Sequence, residues 1–107
     1  MNNKLKITFL GGVGEIGKNM TAFEYGNDII VVDAGLTFPG DDMPGIDAVV
    51  PDISYLLANK DKVRAFILTH GHEDHIGGLP FVLDQIKAPI YGSRLTLALV
   101  ENKMKEY

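Results

Sequence analysis

The sequence of 107 residues contains no cysteine, which excludes a disulfide framework and a metal site built from thiolates. It also contains no apolar run near the roughly 20 residues that a membrane-spanning helix needs. The first residues, MNNKLKITFL, lack the long apolar segment and the small-residue cleavage site of a secretory signal. We therefore expect a cytoplasmic protein with no membrane partner.

Strong charge of one sign is absent as well. The net charge is only −4, and 46% hydrophobic with 22% charged residues is typical of a globular chain. This balance does not indicate nucleic-acid binding, although a local basic patch is compatible with it. The length is near the common size for one hydrophobic core, so we expect one domain at most.

The hydrophobic pattern predicts an α/β fold with a mixed sheet and flanking helices. Strand-like runs KLKITFL, MTAFEY and DIIVVDAG come first, and Gly26-Asn27 predicts a hairpin between the last two. A short helix is predicted over ISYLLANK with Asp52 as its N-cap, followed by a buried strand, VRAFILT, that ends at His70. A second helix is predicted from Leu79-Pro80, then a short strand, APIYG, and a last helix capped by Ser93.

A glycine-rich segment, GVGEIG at Gly12 to Gly17, follows the first predicted strand, and Asp33 lies downstream of it. This spacing resembles a dinucleotide-binding fingerprint. A parallel crossover, however, needs a helix of about a dozen residues, and the segment KNMTAFEYGND carries β-prone residues and a hairpin turn instead. We favour a tight loop that passes close to another loop or a ligand, and we keep dinucleotide binding as the weaker alternative.

All three histidines of the chain, His70, His72 and His75, lie within six residues that also include Asp74. Imidazole and carboxylate groups are the ligands of zinc and similar ions. His70 and His72 can converge from an extended loop, and Asp74 and His75 can point to a neighbouring position. The cluster follows a buried strand, where ligands bind in open α/β sheets. We therefore predict two ligands for each of two metals; a non-catalytic metal clip is the alternative.

The number of ligands falls short of two complete sites. A catalytic zinc takes about three protein ligands and leaves a position for water, so two metals need about six. The cluster offers His70, His72, Asp74 and His75, and the chain has no other histidine. We expect the missing ligands beyond Tyr107. The last predicted helix also lacks a stop signal, so we expect residues 1–107 to be a truncated domain.

The pattern His70-x-His72-x-Asp74-His75 after VRAFILT resembles the signature of the metallo-β-lactamase superfamily. The segments LGGVGEIGKNM, VVDAGLTFPGDDMPGIDAVVPDISYL, THGHEDHIGGLPFVL and APIYGSRLTLALVENK together resemble the start of the ribonuclease J family, in the β-CASP branch. The resemblance implies the N-terminal half of a metallo-β-lactamase αββα sandwich. By the same resemblance, we expect the rest of that domain, the β-CASP domain and a C-terminal domain to lie outside residues 1–107.

The resemblance also implies residue roles. His70 and His72 bind one divalent metal, and Asp74 and His75 bind the second, with zinc as the expected ion and manganese or magnesium as alternatives. Asp74 and His75 are the implied catalytic residues, because they act through the bound metals. Asp33 matches an acidic motif that supports the metal loop. Glu73 is interpreted as solvated or structural. For Lys18 a surface position is favoured over a phosphate contact, and for the aspartates of GDDMPGID a solvated loop is favoured over cation binding.

The implied reaction is two-metal hydrolysis of RNA phosphodiesters, both internally and from the 5′ end, in RNA processing and decay. RNA is the implied partner, and the whole protein is implied to form a homo-oligomer. With four of about six ligands, the 107-residue chain alone is expected to be inactive. The alternative is another hydrolase of the superfamily, acting on a thioester or a lactam.

Overall fold

A computed structural model describes residues 4–11, 19–35, 53–71 and 73–105, with the backbone alone at Glu73 and Asp74. Within these ranges the strands are β1 Leu5–Gly11, β2 Met20–Tyr25, β3 Asp28–Val32, β4 Val63–Ile67 and β5 Ile90–Tyr91. The helices are α1 Ser54–Ala58, α2 Glu73–Ile76, α3 Leu79–Gln85 and α4 Arg94–Met104, with a 3-10 turn at Lys60–Lys62. The predicted α/β class is confirmed.

The five strands form one mixed sheet in the order β1-β2-β3-β4-β5. The β1–β2 and β2–β3 pairs are antiparallel, whereas β3–β4 and β4–β5 are parallel. The predicted hairpin is confirmed, because Tyr25 pairs with Asp28 across a two-residue turn. Only Gly26 of that turn has a positive φ, at 60°, so the left-handed conformation falls on the residue without a Cβ.

The sheet topology removes the structural context of a dinucleotide-binding fingerprint. That motif needs a strand, a helix and a second strand parallel to the first. Here β2 occupies residues 20–25, where the crossover helix would stand, and it runs antiparallel to β1. The glycine-rich segment Gly12 to Gly17 and Lys18 lie outside the described residues. The expectation that β structure follows this segment is confirmed.

The hydrophobic core lies between one face of the sheet and the helices. Alternate residues of β2 and β3 face it, and helix residues of α1, α3 and α4 pack against them; the cluster includes Met20, Ala22, Ile29, Val31, Leu56, Phe66, Leu79, Val82 and Val100. Burying one such large side chain stabilises the fold by about 1.5–3 kcal/mol. The opposite face is exposed and carries large apolar residues, namely Leu5, Ile7, Phe9, Tyr25, Ile30 and Ile67.

Two of the three predicted helix starts are confirmed. The Ser93 side chain accepts a hydrogen bond from the Thr96 backbone N–H at 3.1 Å, which caps α4. Pro80 lies in the first turn of α3, where its missing N–H costs nothing.

The predicted N-cap of α1 is wrong by one residue. Ile53 occupies that position and its side chain makes no capping hydrogen bond, while Asp52 lies outside the described residues. The physical reason is packing: Ile53 and Leu56 are both buried in the core cluster. Tertiary packing of an apolar face stabilises such a short helix more than a cap does.

Candidate metal centre

The candidate site lies at the edge of the sheet where the parallel strands β3 and β4 both end. Asp33 directly follows β3, and its backbone N–H donates to the Ile67 carbonyl at 2.8 Å, which keeps the two chain segments side by side beyond the last paired residues. Thr69 and His70 follow β4 at the same edge. The parallel register therefore brings the predicted supporting acid beside the histidine cluster, although 42 positions separate Asp33 from His75.

Asp33 is almost completely buried, with 5% of its surface exposed. One carboxylate oxygen accepts the Thr69 backbone N–H at 2.8 Å, and the other accepts the Thr69 hydroxyl at 2.7 Å. Its backbone has φ of 64°, a left-handed conformation that short polar residues such as Asp adopt more readily than other non-glycine residues. The sharp turn after β3 thus directs the carboxylate toward the loop after β4.

His75 makes the third contact of the Asp33 carboxylate, with Nδ1 2.7 Å from Oδ2. A carboxylate only accepts hydrogen bonds, so the proton of this pair lies on the imidazole nitrogen Nδ1. Histidines that bind metals almost always donate the other ring N–H to a carboxylate, a carbonyl or water. The Asp33–His75 contact therefore has the chemistry of a metal ligand backed by an acid, with Nε2 as the donor atom toward the metal.

His70 lies next to His75: the ring centroids are 4.6 Å apart, and the ring planes are inclined at 45°. The His70 Nδ1 is 3.0 Å from the Thr69 hydroxyl, which is also 3.3 Å from the His75 Nδ1. The structure thus places two predicted metal ligands and the predicted supporting acid together. His72 and the side chain of Asp74 lie outside the described residues.

The backbone from His75 to Gly78 is held against the turn after β3. The Ala34 N–H donates to the His75 carbonyl at 2.7 Å, and the Gly78 N–H donates to the Ala34 carbonyl at 2.8 Å. A Cβ at Gly78 would lie 2.6 Å from the Gly35 carbonyl oxygen, closer than real side chains allow. Glycine at this position is what permits the two backbones to approach.

A short helix within the cluster was not predicted. The sequence predicted no helix between the strand VRAFILT and Leu79-Pro80, whereas the backbone of Glu73–Ile76 forms one helical turn, α2. Ile76 in this turn is 3% exposed and belongs to the core cluster, so its burial anchors the turn and fixes the backbone from which His75 projects. Thr69 was also missed; the available signal was a hydroxyl residue directly before the first histidine.

The described side chains include two of the predicted metal ligands, His70 and His75. In the portion of the chain that the structure describes, no three side chains of histidine, aspartate or glutamate are arranged to hold an ion. The donor chemistry nevertheless fits a divalent metal, because two imidazoles are adjacent and one is backed by a buried carboxylate. A cleft of about 220 Å³ opens beside them, with Phe9, Asn19, Asp33 and His75 in its wall.

Comparison with known proteins gives the class to which this chain belongs. The family model described as the metallo-beta-lactamase superfamily matches residues 13–107. The chain belongs to this superfamily, as its histidine motif predicted. Membership implies that the protein uses divalent metal ions. None of the helices in the described ranges is long and apolar enough to cross a membrane.

More specific similarity is to proteins named Ribonuclease J. The chain is 53% identical over 105 residues to Ribonuclease J 1 of Streptococcus pyogenes serotype M3, and the match covers 98% of this chain and 19% of that protein. It is 55% identical over 104 residues to Ribonuclease J 2 of Staphylococcus aureus, covering 97% of this chain and 19% of the relative. Ribonuclease J of Thermus thermophilus is 51% identical over 108 residues, with 96% and 19% covered. The predicted resemblance is confirmed, and the chain spans about a fifth of the length of these relatives.

Proposed function

We propose that the protein containing this chain is a metal-dependent ribonuclease that hydrolyses RNA phosphodiester bonds, internally and from the 5′ end. The observation that carries the proposal is the buried Asp33 carboxylate bonded to His75 beside His70, in a chain 51–55% identical to proteins named Ribonuclease J. The proposal includes RNA processing and decay in the cytoplasm and homo-oligomerisation of the whole protein.

The proposed ligands are His70 and His72 for one divalent metal and Asp74 and His75 for the second, with zinc as the expected ion and manganese or magnesium as alternatives. When bound, such ions polarise the phosphate and generate a strong nucleophile near neutral pH. The chain's own contribution is orientation. Asp33 accepts the Nδ1 proton of His75, which leaves Nε2 as the nitrogen that can bind the metal. The α2 backbone fixes the point from which the His75 side chain projects.

The four candidate ligands in this chain are fewer than the six or so that two catalytic metals need. We therefore propose that residues 1–107 alone hold at most part of the site and cleave RNA at a negligible rate. Further histidine and aspartate ligands elsewhere in the whole protein would complete it. Asp74 and His75 are the proposed catalytic residues, acting through the metal that they bind.

The decisive experiment uses the purified whole protein, a 5′-labelled RNA and metal analysis by mass spectrometry. His72→Ala and Asp74→Ala are each expected to lower RNA cleavage at least about 100-fold and to lower the bound metal, because each removes a ligand. Glu73→Ala is the matched control within the same motif and is expected to retain activity. A chelator should abolish cleavage, and added zinc or manganese should restore it.

Two results would contradict the proposal. Undiminished RNA cleavage by His72→Ala and Asp74→Ala would separate the activity from the motif. Hydrolysis of a thioester or a β-lactam by the wild-type protein, without RNA cleavage, would replace the ribonuclease by another hydrolase of the superfamily.

A further inference from the structure

We propose that Thr69 is a positioning residue whose hydroxyl sets the tautomer and orientation of His70, one of the imidazoles of the metal site. The inference rests on the proposed metal centre. Its starting observation is that the Thr69 hydroxyl oxygen lies within 3.3 Å of three groups: the Asp33 carboxylate, His70 Nδ1 and His75 Nδ1. The hydroxyl therefore lies between the buried acid and both described histidines.

The direction of each hydrogen bond follows from the number of protons available. A hydroxyl has one proton to donate and two lone pairs that accept, whereas a carboxylate only accepts. The shortest contact of the hydroxyl is with Asp33 Oδ2 at 2.7 Å, and bonds to a carboxylate are the stronger kind. The Thr69 proton is therefore donated to Asp33, and the hydroxyl can only accept from the imidazoles.

The two imidazoles then receive different partners. His75 Nδ1 is 2.7 Å from Asp33 Oδ2 and 3.3 Å from the hydroxyl, so its proton is donated to the carboxylate. His70 Nδ1 is 3.0 Å from the hydroxyl and donates its proton there. Both rings carry hydrogen on Nδ1, which makes Nε2 the metal-binding nitrogen in each. Thr69 thus does for His70 what Asp33 does for His75.

The hydroxyl can serve this purpose because the rest of Thr69 is fixed. Its backbone N–H is held by Asp33 Oδ1 at 2.8 Å. The preceding residue, Leu68, is buried, and its N–H donates to the Tyr91 carbonyl at 2.8 Å. The side chain therefore starts from a backbone position that two neighbouring segments determine, and little freedom remains for the hydroxyl.

The test compares two substitutions in the whole protein. Thr69→Val keeps the branched shape and removes the hydroxyl, whereas Thr69→Ser keeps the hydroxyl. Thr8→Val makes the same chemical change in β1, outside the site. Zinc affinity is measured by competition with a chromophoric chelator, cobalt(II) absorption reports the ligand geometry, and cleavage of a 5′-labelled RNA is measured in parallel.

Thr69→Val is expected to weaken zinc binding by about 10–100-fold, the usual effect of removing a hydrogen-bond partner behind a metal ligand, and to alter the cobalt absorption band. Thr69→Ser and Thr8→Val are expected to stay within about threefold of wild type on the same scale. If circular dichroism shows that Thr69→Val does not fold, Thr69→Ala replaces it. The same loss of zinc affinity is expected, and Thr69→Ser remains the control that keeps the hydroxyl.

The outcomes separate this inference from the proposed function. A wild-type protein that binds no zinc or cobalt would overturn the metal centre itself. If the wild-type protein binds metal and Thr69→Val has the same zinc affinity and the same cobalt spectrum, only the role of Thr69 is overturned. Loss of affinity in Thr69→Ser as large as in Thr69→Val would also overturn it, because the hydroxyl would not be the responsible group.

Discussion

The strand pair β3–β4 has an aspartate-centred polar cluster at each of its two ends, and the two clusters differ in how deeply the aspartate is buried. At the amino ends, Asp28 contacts Arg64 with Nε and Oδ1 2.7 Å apart, and the side chains are 66% and 52% exposed. At the carboxyl ends, Asp33 contacts His75 at the same 2.7 Å, but the Asp33 side chain is only 7% exposed. The two contact distances are equal, whereas the two aspartate side chains differ in burial.

Burial decides what each aspartate does. An exposed ion pair contributes about 0.2–1 kcal/mol, because water competes for both charges and two long side chains lose freedom. A buried carboxylate that accepts several hydrogen bonds leaves each donor unsatisfied when it is removed, at about 1–3 kcal/mol per buried donor. The exposed cluster joins two strands, whereas the buried cluster at Asp33 fixes the loop that carries the candidate metal ligands.

The largest expected effect comes from Asp33→Ala. The change removes the acceptor of the Thr69 N–H, the Thr69 hydroxyl and His75 Nδ1, and it leaves alanine at φ of 64°. We expect a loss of about 2–4 kcal/mol of stability in this domain and a loss of metal binding. Calorimetric unfolding of the whole protein and its metal content measure both.

Asp28→Ala is the matched control, since it truncates the aspartate at the other end of β3. It is expected to keep full metal content and to lower the unfolding temperature only slightly. Equal effects of the two truncations would show that burial does not distinguish the two ends.

The next largest effect is expected from Gly78→Ala. The added Cβ would lie 2.6 Å from the Gly35 carbonyl oxygen, so the turn after β3 must move away from the loop that follows α2. Because the Ala34 N–H holds the His75 carbonyl, this shift should displace His75. We expect about 1–3 kcal/mol of destabilisation and weaker zinc binding, measured by chelator competition.

Gly26→Ala is the control for this second change. Gly26 has φ of 60°, but a Cβ there meets nothing within 4 Å. The strain of about 1–2 kcal/mol should lower stability and leave zinc affinity unchanged. Unchanged zinc affinity in Gly78→Ala as well would show that the contact between the two backbones does not position His75.

The smallest effect is expected at the exposed end. A double-mutant cycle of Asp28→Asn and Arg64→Met should give a coupling energy of about 0.2–1 kcal/mol that decreases as salt is added. The same cycle with Asp33→Asn and Thr69→Val should give a larger coupling that salt changes little, because the Asp33 carboxylate that accepts the Thr69 hydroxyl bond is buried. Unfolding in urea at two salt concentrations provides the measurement, and a coupling that is equal at both ends would contradict the comparison.

Local signals in the sequence determined much of the fold. Alternating or continuous β-branched runs predicted β1 to β4, and Gly26-Asn27 predicted the hairpin because glycine adopts a positive φ without cost. Pro80 and Ser93 marked helix starts through their own backbone chemistry. Each of these features depends on residues a few positions apart, which is why the sequence alone was sufficient. Asp52 failed as a cap because burial of Ile53 set the start of α1.

In the candidate site, too, some features were determined by the sequence and others only by the tertiary structure. The sequence determined which residue types stand in the His70 to His75 segment and hence which metals they suit. Only the tertiary structure decided that Asp33 meets Thr69 and His75, across 36 and 42 positions of sequence. The physical reason is the parallel pairing of β3 with β4, which brings two distant strand ends to one edge and buries the carboxylate there.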